Sequence, residues 1–231
     1  MNEVIVITGQ RGKGKSTYIK NHIEDYDRVV IFDLLGEFTY YHTSHTLEEF
    51  FKELSKNKKE DFFILNYYNP KNSERDFEII CKAINRNENL MFVIDELDYF
   101  CSANYIPHSF AEIIKRGRHQ NLNVMIATRR PHEIPRLVTS QVSQFITFRH
   151  LEIRDLEYMK DVCGFDKEEI QSLPDFNFLC WHNGQIEKGL VKLPEIKGRV
   201  IELKGREKID SELENFFLEE ESEEIDEAES F

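Results

Sequence analysis

The sequence predicts an α/β fold, a mainly parallel central sheet flanked by helices and extended by a C-terminal hairpin and an acidic tail. Three observations predict it. Short apolar, β-branched runs alternate with stretches of helical spacing, the pattern of strands joined by crossover helices. The first run, residues 4–7, leads straight into a glycine loop and then a helix. Gly9, Asp33 and Asp95 each stand at the end of such a run, and a parallel sheet gathers its ligands at the carboxyl ends of its strands.

Residues 8–16 read Thr-Gly-Gln-Arg-Gly-Lys-Gly-Lys-Ser. Gly9, Gly14, Lys15 and Ser16 fall on G-x-x-x-x-G-K-[ST], the phosphate-binding P-loop. The predicted nucleotide cradle is Gly9, Gln10, Arg11, Gly12, Lys13, Gly14, Lys15, Ser16 and Thr17. Its glycines let backbone N–H groups converge on phosphate oxygens, and the helix that follows adds the positive end of its dipole. Lys15 is placed to reach the β- and γ-phosphates, and the Ser16 hydroxyl to take one Mg²⁺ position. ATP and Mg²⁺ are therefore the expected cofactors.

Residues 28–32 form a second apolar run ending on Asp33, with Gly36-Glu37-Phe38 just beyond. After Thr46, apolar positions 47, 50, 51 and 54 have helical spacing. Residues 62–67 predict a third strand, closed by Asn69-Pro70, and Phe77, Ile80, Cys81 and Ile84 mark the next helix. Residues 89–94 predict a fourth strand ending on Asp95-Glu96. From there Asp95 can hold Mg²⁺, while Glu96 orients or deprotonates the attacking water. A kinase passing phosphate to a small molecule does not need that second carboxylate.

Residues 113–119 carry a helix into a basic turn, and 122–127 predict a fifth strand before Thr128-Arg129-Arg130-Pro131. A short helical piece at 134–140 leads to a sixth strand at 145–148, ending at Arg149. Leu156, Met159 and Val162 mark a helix stopped by Gly164. Residues 176–181 and 185–190 flank His182-Asn183-Gly184, a hairpin signal. Residues 99–106 allow two readings, an ordinary packed loop or a loop whose aromatics reach DNA.

Bulk composition narrows the class. The 231 residues suffice for one α/β domain with extensions, and 40% are hydrophobic. No apolar run approaches the ~20 residues of a membrane span. The four cysteines show no metal-type spacing and read as the reduced thiols of a cytoplasmic protein. Twelve acids and one lysine in residues 207–231 contribute −11 of the net charge of −13, leaving −2 for residues 1–206. The sequence thus divides into a nearly neutral P-loop ATPase domain, 1–206, and an acidic tail, 207–231, expected to be disordered alone. The tail reads as a solubilising segment or as a dock for a basic partner.

Asp33 with Gly36-Glu37-Phe38 resembles the aspartate–glycine–glutamate–aromatic motif that follows the second strand of HerA-type ATPases. Ile94-Asp95-Glu96 resembles their Walker B motif. Residues 117–131 resemble the family's basic turn, strand and Ala-Thr-Gln-Arg-Pro segment. Pro135, Leu137, Val138, Ser140 and Gln141 continue the likeness, as do residues 145–149. Over residues 3–195 the ordered motifs resemble the FtsK–HerA superfamily of P-loop ATPases, its HerA-type DNA translocases and viral genome-packaging ATPases.

That resemblance implies a RecA/FtsK–HerA-like core, a hexameric ring, ATP held between subunits and double-stranded DNA moved through the centre. Where the family has a glutamine that senses the γ-phosphate, this chain has Arg129, which senses by charge or leaves the role to Thr128. The ring also requires an arginine finger from the neighbouring subunit, for which Arg118 is the first choice and Arg116 and Arg149 the alternatives. The bare motor core resembles packaging ATPases of membrane-containing viruses. The expected function is a ring-forming, ATP-hydrolysing DNA translocase that packages viral or phage DNA, in the host cytoplasm or the virion. The alternatives are a HerA-like mobile-element DNA-processing ATPase, a small-molecule kinase and a nucleotide-dependent assembly switch.

Overall fold

In the computed structural model, which describes residues 3–192, the apolar runs become neighbours in one sheet. Its strands are β1 (Val4–Thr8), β2 (Arg28–Phe32), β3 (His42–Ser44), β4 (Phe63–Tyr67), β5 (Leu90–Ile94), β6 (Leu122–Thr128), β7 (Gln144–Thr147), β8 (Asn177–His182) and β9 (Gln185–Leu190). Their order across the sheet is β3-β4-β2-β5-β6-β1-β7-β8-β9. Pairing is parallel from β3 through β7 and antiparallel where β8 and β9 join. The expected hairpin is present, and its turn residues Asn183 and Gly184 have φ of +51° and +79°, as a type I′ turn requires. The predicted acidic tail lies outside the described residues.

The strands alternate between two cores, one on each face of the sheet. Val4, Val6, Val30, Phe32, Phe92 and Ile94 point to the first face; Ile5, Ile7, Val29, Ile31, Met91 and Val93 point to the second. On the first face lie α2 (Leu47–Lys56), α3 (Ser73–Ile84), α4 (His108–Arg116), α5 (Arg136–Thr139), α6 (Ile153–Cys163) and α7 (Lys167–Ser172). On the second, among the described residues, the helix that contributes buried side chains is α1 (Lys15–Ile23), through Tyr18, Ile19 and Ile23. Among the described residues the sheet is covered on both faces, but very unequally.

Local chemistry explains the helix boundaries. Thr46 and Glu49 form a reciprocal capping box at the start of α2, worth about 1 kcal/mol. Glu152 and Asp166 cap α6 and α7 through their side chains. Both β3 and α7 fall where the sequence predicts no element. β3 is a three-residue polar edge strand held by its pairing with β4, so it carries no apolar run. The 99–106 segment follows the packed reading at its start. Phe100 is buried and stacks on Phe77 with centroids 4.3 Å apart. Tyr99 and Tyr105 are exposed, but they flank a groove whose lining includes Glu74, Glu78, Asp98 and Glu133. Such a surface repels a phosphate backbone.

Candidate active site

β1 runs between β6 and β7 with Thr8 level with Thr128 and Thr147. The P-loop therefore leaves the sheet at its centre. It is packed against the end of β7: a Cβ at Gly9 would stand 2.6 Å from Phe148 Cβ, and one at Gly14, where φ is +119°, 2.9 Å from the Phe148 ring. Only glycine lets the loop lie this close. α1 begins at Lys15 with Gly14 as its N-cap, no side-chain cap and no acid in its first turn. Among the described residues its leading amides thus have no side-chain cap, the arrangement that receives an anion.

Lys15 Nζ donates to the carbonyl of Gly9 at 2.9 Å and to that of Gln10 at 3.3 Å. Burial lowers its pKa, an effect opposed by the Glu96 charge. The N–H of Gln10 is already spent on the Arg149 carbonyl, at 3.1 Å. Arg11 and Gly12 are exposed. Lys13 is held by Asp175 at 2.7 Å, its carbonyl accepts from the N–H of Phe176 at 3.1 Å, and Arg149 reaches the same Asp175 at 3.6 Å. Asp175, Phe176 and Arg149 were not legible as neighbours of the loop, since more than 130 residues separate each from it.

The acids converge as the strand order predicts. β5 ends beside β6, so Asp95 lies within electrostatic reach of Lys15. Burial first, and then the charges of Glu96, Glu37 and Asp33, push the Asp95 carboxyl well above the usual range. Its Oδ2 is buried with no hydrogen-bond partner among the described residues. An orphaned carboxylate oxygen among acids, one of which (Glu37) holds a serine hydroxyl, is a donor set a divalent cation takes, so the residues fit Mg²⁺. Ser16 itself donates to Glu37, a partner the sequence reading did not assign.

Glu96 has φ +53° and ψ +61°, a left-handed conformation costing about 1–3 kcal/mol in a residue with a side chain. The strain turns its carboxylate toward Arg129, whose Nε donates to Oε1 at 2.6 Å. Burial raises the Glu96 pKa, while Lys15 and Arg129 hold it down. Asp98 ties the two strand ends together, accepting from Thr128 Oγ1 at 2.8 Å and from the Arg129 N–H at 3.4 Å. Thr128 is thus already engaged and buried, whereas Arg129 is half-exposed at the cleft, paired with Glu96.

A buried polar chain supports the root of the loop. Thr8 Oγ1 shares a 2.8 Å hydrogen bond with His150 Nε2, and Asp155 Oδ2 lies 3.8 Å from His150 Nδ1. Asp155 Oδ1 in turn is 2.7 Å from His132 Nδ1. His150 is 2% exposed, and burial followed by the Lys15 charge pushes its pKa down to about 3. Folded His150 is neutral, but the unfolded chain takes up a proton near pH 6.5. Its contribution to stability is complete above about pH 6.5 and is lost as pH falls toward about 3. We expect His150→Gln to lose melting temperature less steeply than wild type between these limits. Equal slopes in melts at fixed ionic strength would contradict the assignment.

Arg118 lies elsewhere. The turn Gly117–His119 precedes β6, so it sits at the opposite end of the sheet from the P-loop. Seven residues of β6 at about 3.3 Å each put it roughly 20 Å away. Arg118 is exposed, and so is Arg116, which pairs with Glu112 at 3.1 Å. Arg149 stands beside its own P-loop, unlike the two arginines of the far end.

The family model described as AAA domain matches residues 2–133, more than half of the 231-residue chain. The chain belongs to the AAA domain family. The protein is an ATPase with the fold of the FtsK–HerA-type P-loop enzymes. The genome packaging NTPase B204 from Sulfolobus turreted icosahedral virus 2, in complex with AMPPCP, is 18% identical with a TM-score of 0.68; the match covers 83% of this chain and 98% of B204. The pCW3 conjugation coupling protein TcpA is 14% identical with a TM-score of 0.57, over 83% of this chain and 61% of TcpA. VirB4 of Thermoanaerobacter pseudethanolicus is 10% identical with a TM-score of 0.59, over 84% of this AAA domain ATPase and 91% of VirB4. No curated protein matches the chain. Among the described residues of this ATPase, no helix is long and apolar enough to cross a membrane.

Proposed function

We propose that this ATPase is a motor that moves double-stranded DNA, works as a ring of identical subunits, and packages a viral or phage genome. The observation that carries the reading is the division of the machinery along β6. Arg129 stands at its site end beside Glu96, and Arg118 is exposed at the other end, too far to serve its own nucleotide. A ring would bring the Arg118 of one subunit to the P-loop of the next. Within one subunit Lys15 would hold the β- and γ-phosphates, and Ser16 and Asp95 would hold Mg²⁺, which when bound would neutralise phosphate charge. Glu96 takes the proton of the attacking water, and Arg129 orients Glu96 and responds to the γ-phosphate.

The genome-packaging task of B204 supports the DNA cargo. TcpA, a conjugation coupling protein, favours a second reading, DNA processing on a mobile element. A small-molecule kinase is disfavoured by the Glu96–Arg129 pair, which commits the second carboxylate to the site. The acidic tail would dock a portal or capsid protein. We expect long double-stranded DNA to raise the ATPase rate severalfold, with an effect that grows with duplex length and shrinks with salt. A rate indifferent to DNA but raised by a small phosphate acceptor would establish the kinase instead.

A further inference from the structure

We propose that Glu37 is a positioning residue of the cation site: it orients the Ser16 hydroxyl and, with Asp95, supplies the charge that draws a divalent ion to the nucleotide. Ser16 and Asp95 are the groups read above as metal-holding, and the inference rests on that reading. It does not depend on DNA or on a ring.

The turn after β2 is built to present this side chain. Asp33 Oδ1 accepts the N–H groups of Leu35, Gly36 and Glu37 at 3.2, 2.7 and 3.1 Å, and Oδ2 accepts that of Phe38 at 2.9 Å. Asn66 Nδ2 donates to Oδ2 at 3.3 Å. Phe38 is fully buried in the second-face core. The backbone of Glu37 is thus pinned on both sides while its side chain stays exposed at the cleft and accepts from Ser16 Oγ. A serine hydroxyl has one proton and two lone pairs. Giving the proton to Glu37 turns the lone pairs away from it and makes the oxygen a better cation ligand, the way an outer partner tunes a metal-holding group.

A second observation points to the ion itself. Asp95 is 2% exposed, and its Oδ2 lacks a partner among the described residues. Asp33, Glu37 and Glu96 act on Asp95 as like charges, set against the Lys15 cation, with Arg129 held by Glu96. Four carboxyl groups crowd two cations, and burial and mutual repulsion oppose their ionised forms until a divalent cation balances them. Phosphates would be repelled from such a site unless a divalent cation came with them.

The test is a titration of Mn²⁺ into the protein with a non-hydrolysable ATP analogue, followed by electron paramagnetic resonance, beside analogue binding in EDTA. Glu37→Gln should weaken Mn²⁺ binding by about tenfold or more. Its analogue affinity in EDTA should be unchanged or tighter, because one carboxylate near the phosphates has lost its charge. Glu37→Asp should recover part of the lost Mn²⁺ affinity, and it carries the same test should Glu37→Gln fail to fold. Mn²⁺ binding equal to wild type in the folded variants would overturn the proposal. So would a parallel fall in EDTA, the mark of general damage to the loop. A wild type whose analogue binding ignores Mn²⁺ would remove the Ser16–Asp95 reading, and this inference with it.

Discussion

We expect Glu96→Gln to bind ATP as wild type does and to hydrolyse it about 10²–10⁴-fold more slowly, the usual loss when a general base is neutralised. The amide keeps the shape that the left-handed backbone at φ +53° presents and can still accept from Arg129. It cannot take a proton from water. Arg129 supplies a second, independent reading of the same pair. Its charge holds the Glu96 carboxyl down against burial. In Arg129→Gln that restraint is gone and the Glu96 pKa rises further. The acid limb of the kcat/KM–pH profile should therefore move to higher pH, since the ionised base is lost earlier on acidification. A Glu96→Gln enzyme with the wild-type rate would remove Glu96 from water activation. A pH profile unmoved in Arg129→Gln would uncouple the two residues.

Arg118→Ala should bind ATP normally and lose about 10³–10⁵ in turnover, the contribution of a trans-acting arginine in other NTPases. Lys15→Ala should fail earlier, at binding, because the phosphates lose a buried cation. Mixed, the two dead proteins should regain part of the activity, since some interfaces join an intact P-loop to an intact Arg118. Only an arginine acting across subunits allows that rescue. A mixture that stays inactive while labelled subunits exchange would pass the role to Arg116, its exposed neighbour. A specific rate constant on dilution to monomer would end the ring reading.

What was legible in the sequence were groups that a strand end and a local motif fix together. Gly9, Asp33, Asp95 and Arg129 each follow an apolar run within a residue or two, so the parallel sheet brings them to one edge. The partners of those groups were not legible. Ser16 meets Glu37, Thr128 meets Asp98, Thr8 meets His150 and Lys13 meets Asp175 across separations of 21 to 162 residues. No periodicity records such pairings; they follow from strand order. The missed elements have a local explanation. β3 has a polar sequence, and α7 is only six residues long, so its start signals, Asp166 and the first-turn acids Glu168 and Glu169, are followed by no apolar periodicity.

Among the described residues, the second face of the sheet takes its helical cover from one nine-residue helix whose first turn has no side-chain cap. Phosphate oxygens at those amides would finish the helix in the way Thr46 finishes α2. Ordering of that face and occupancy of the loop then become a single equilibrium. Its free energy grows as RT ln(1 + [ATP]/Kd), about 2.7 kcal/mol at a hundredfold excess over Kd. The resilience of this protein would then be set partly by the energy charge of its surroundings, and a subunit emptied of nucleotide would be the softest form it takes.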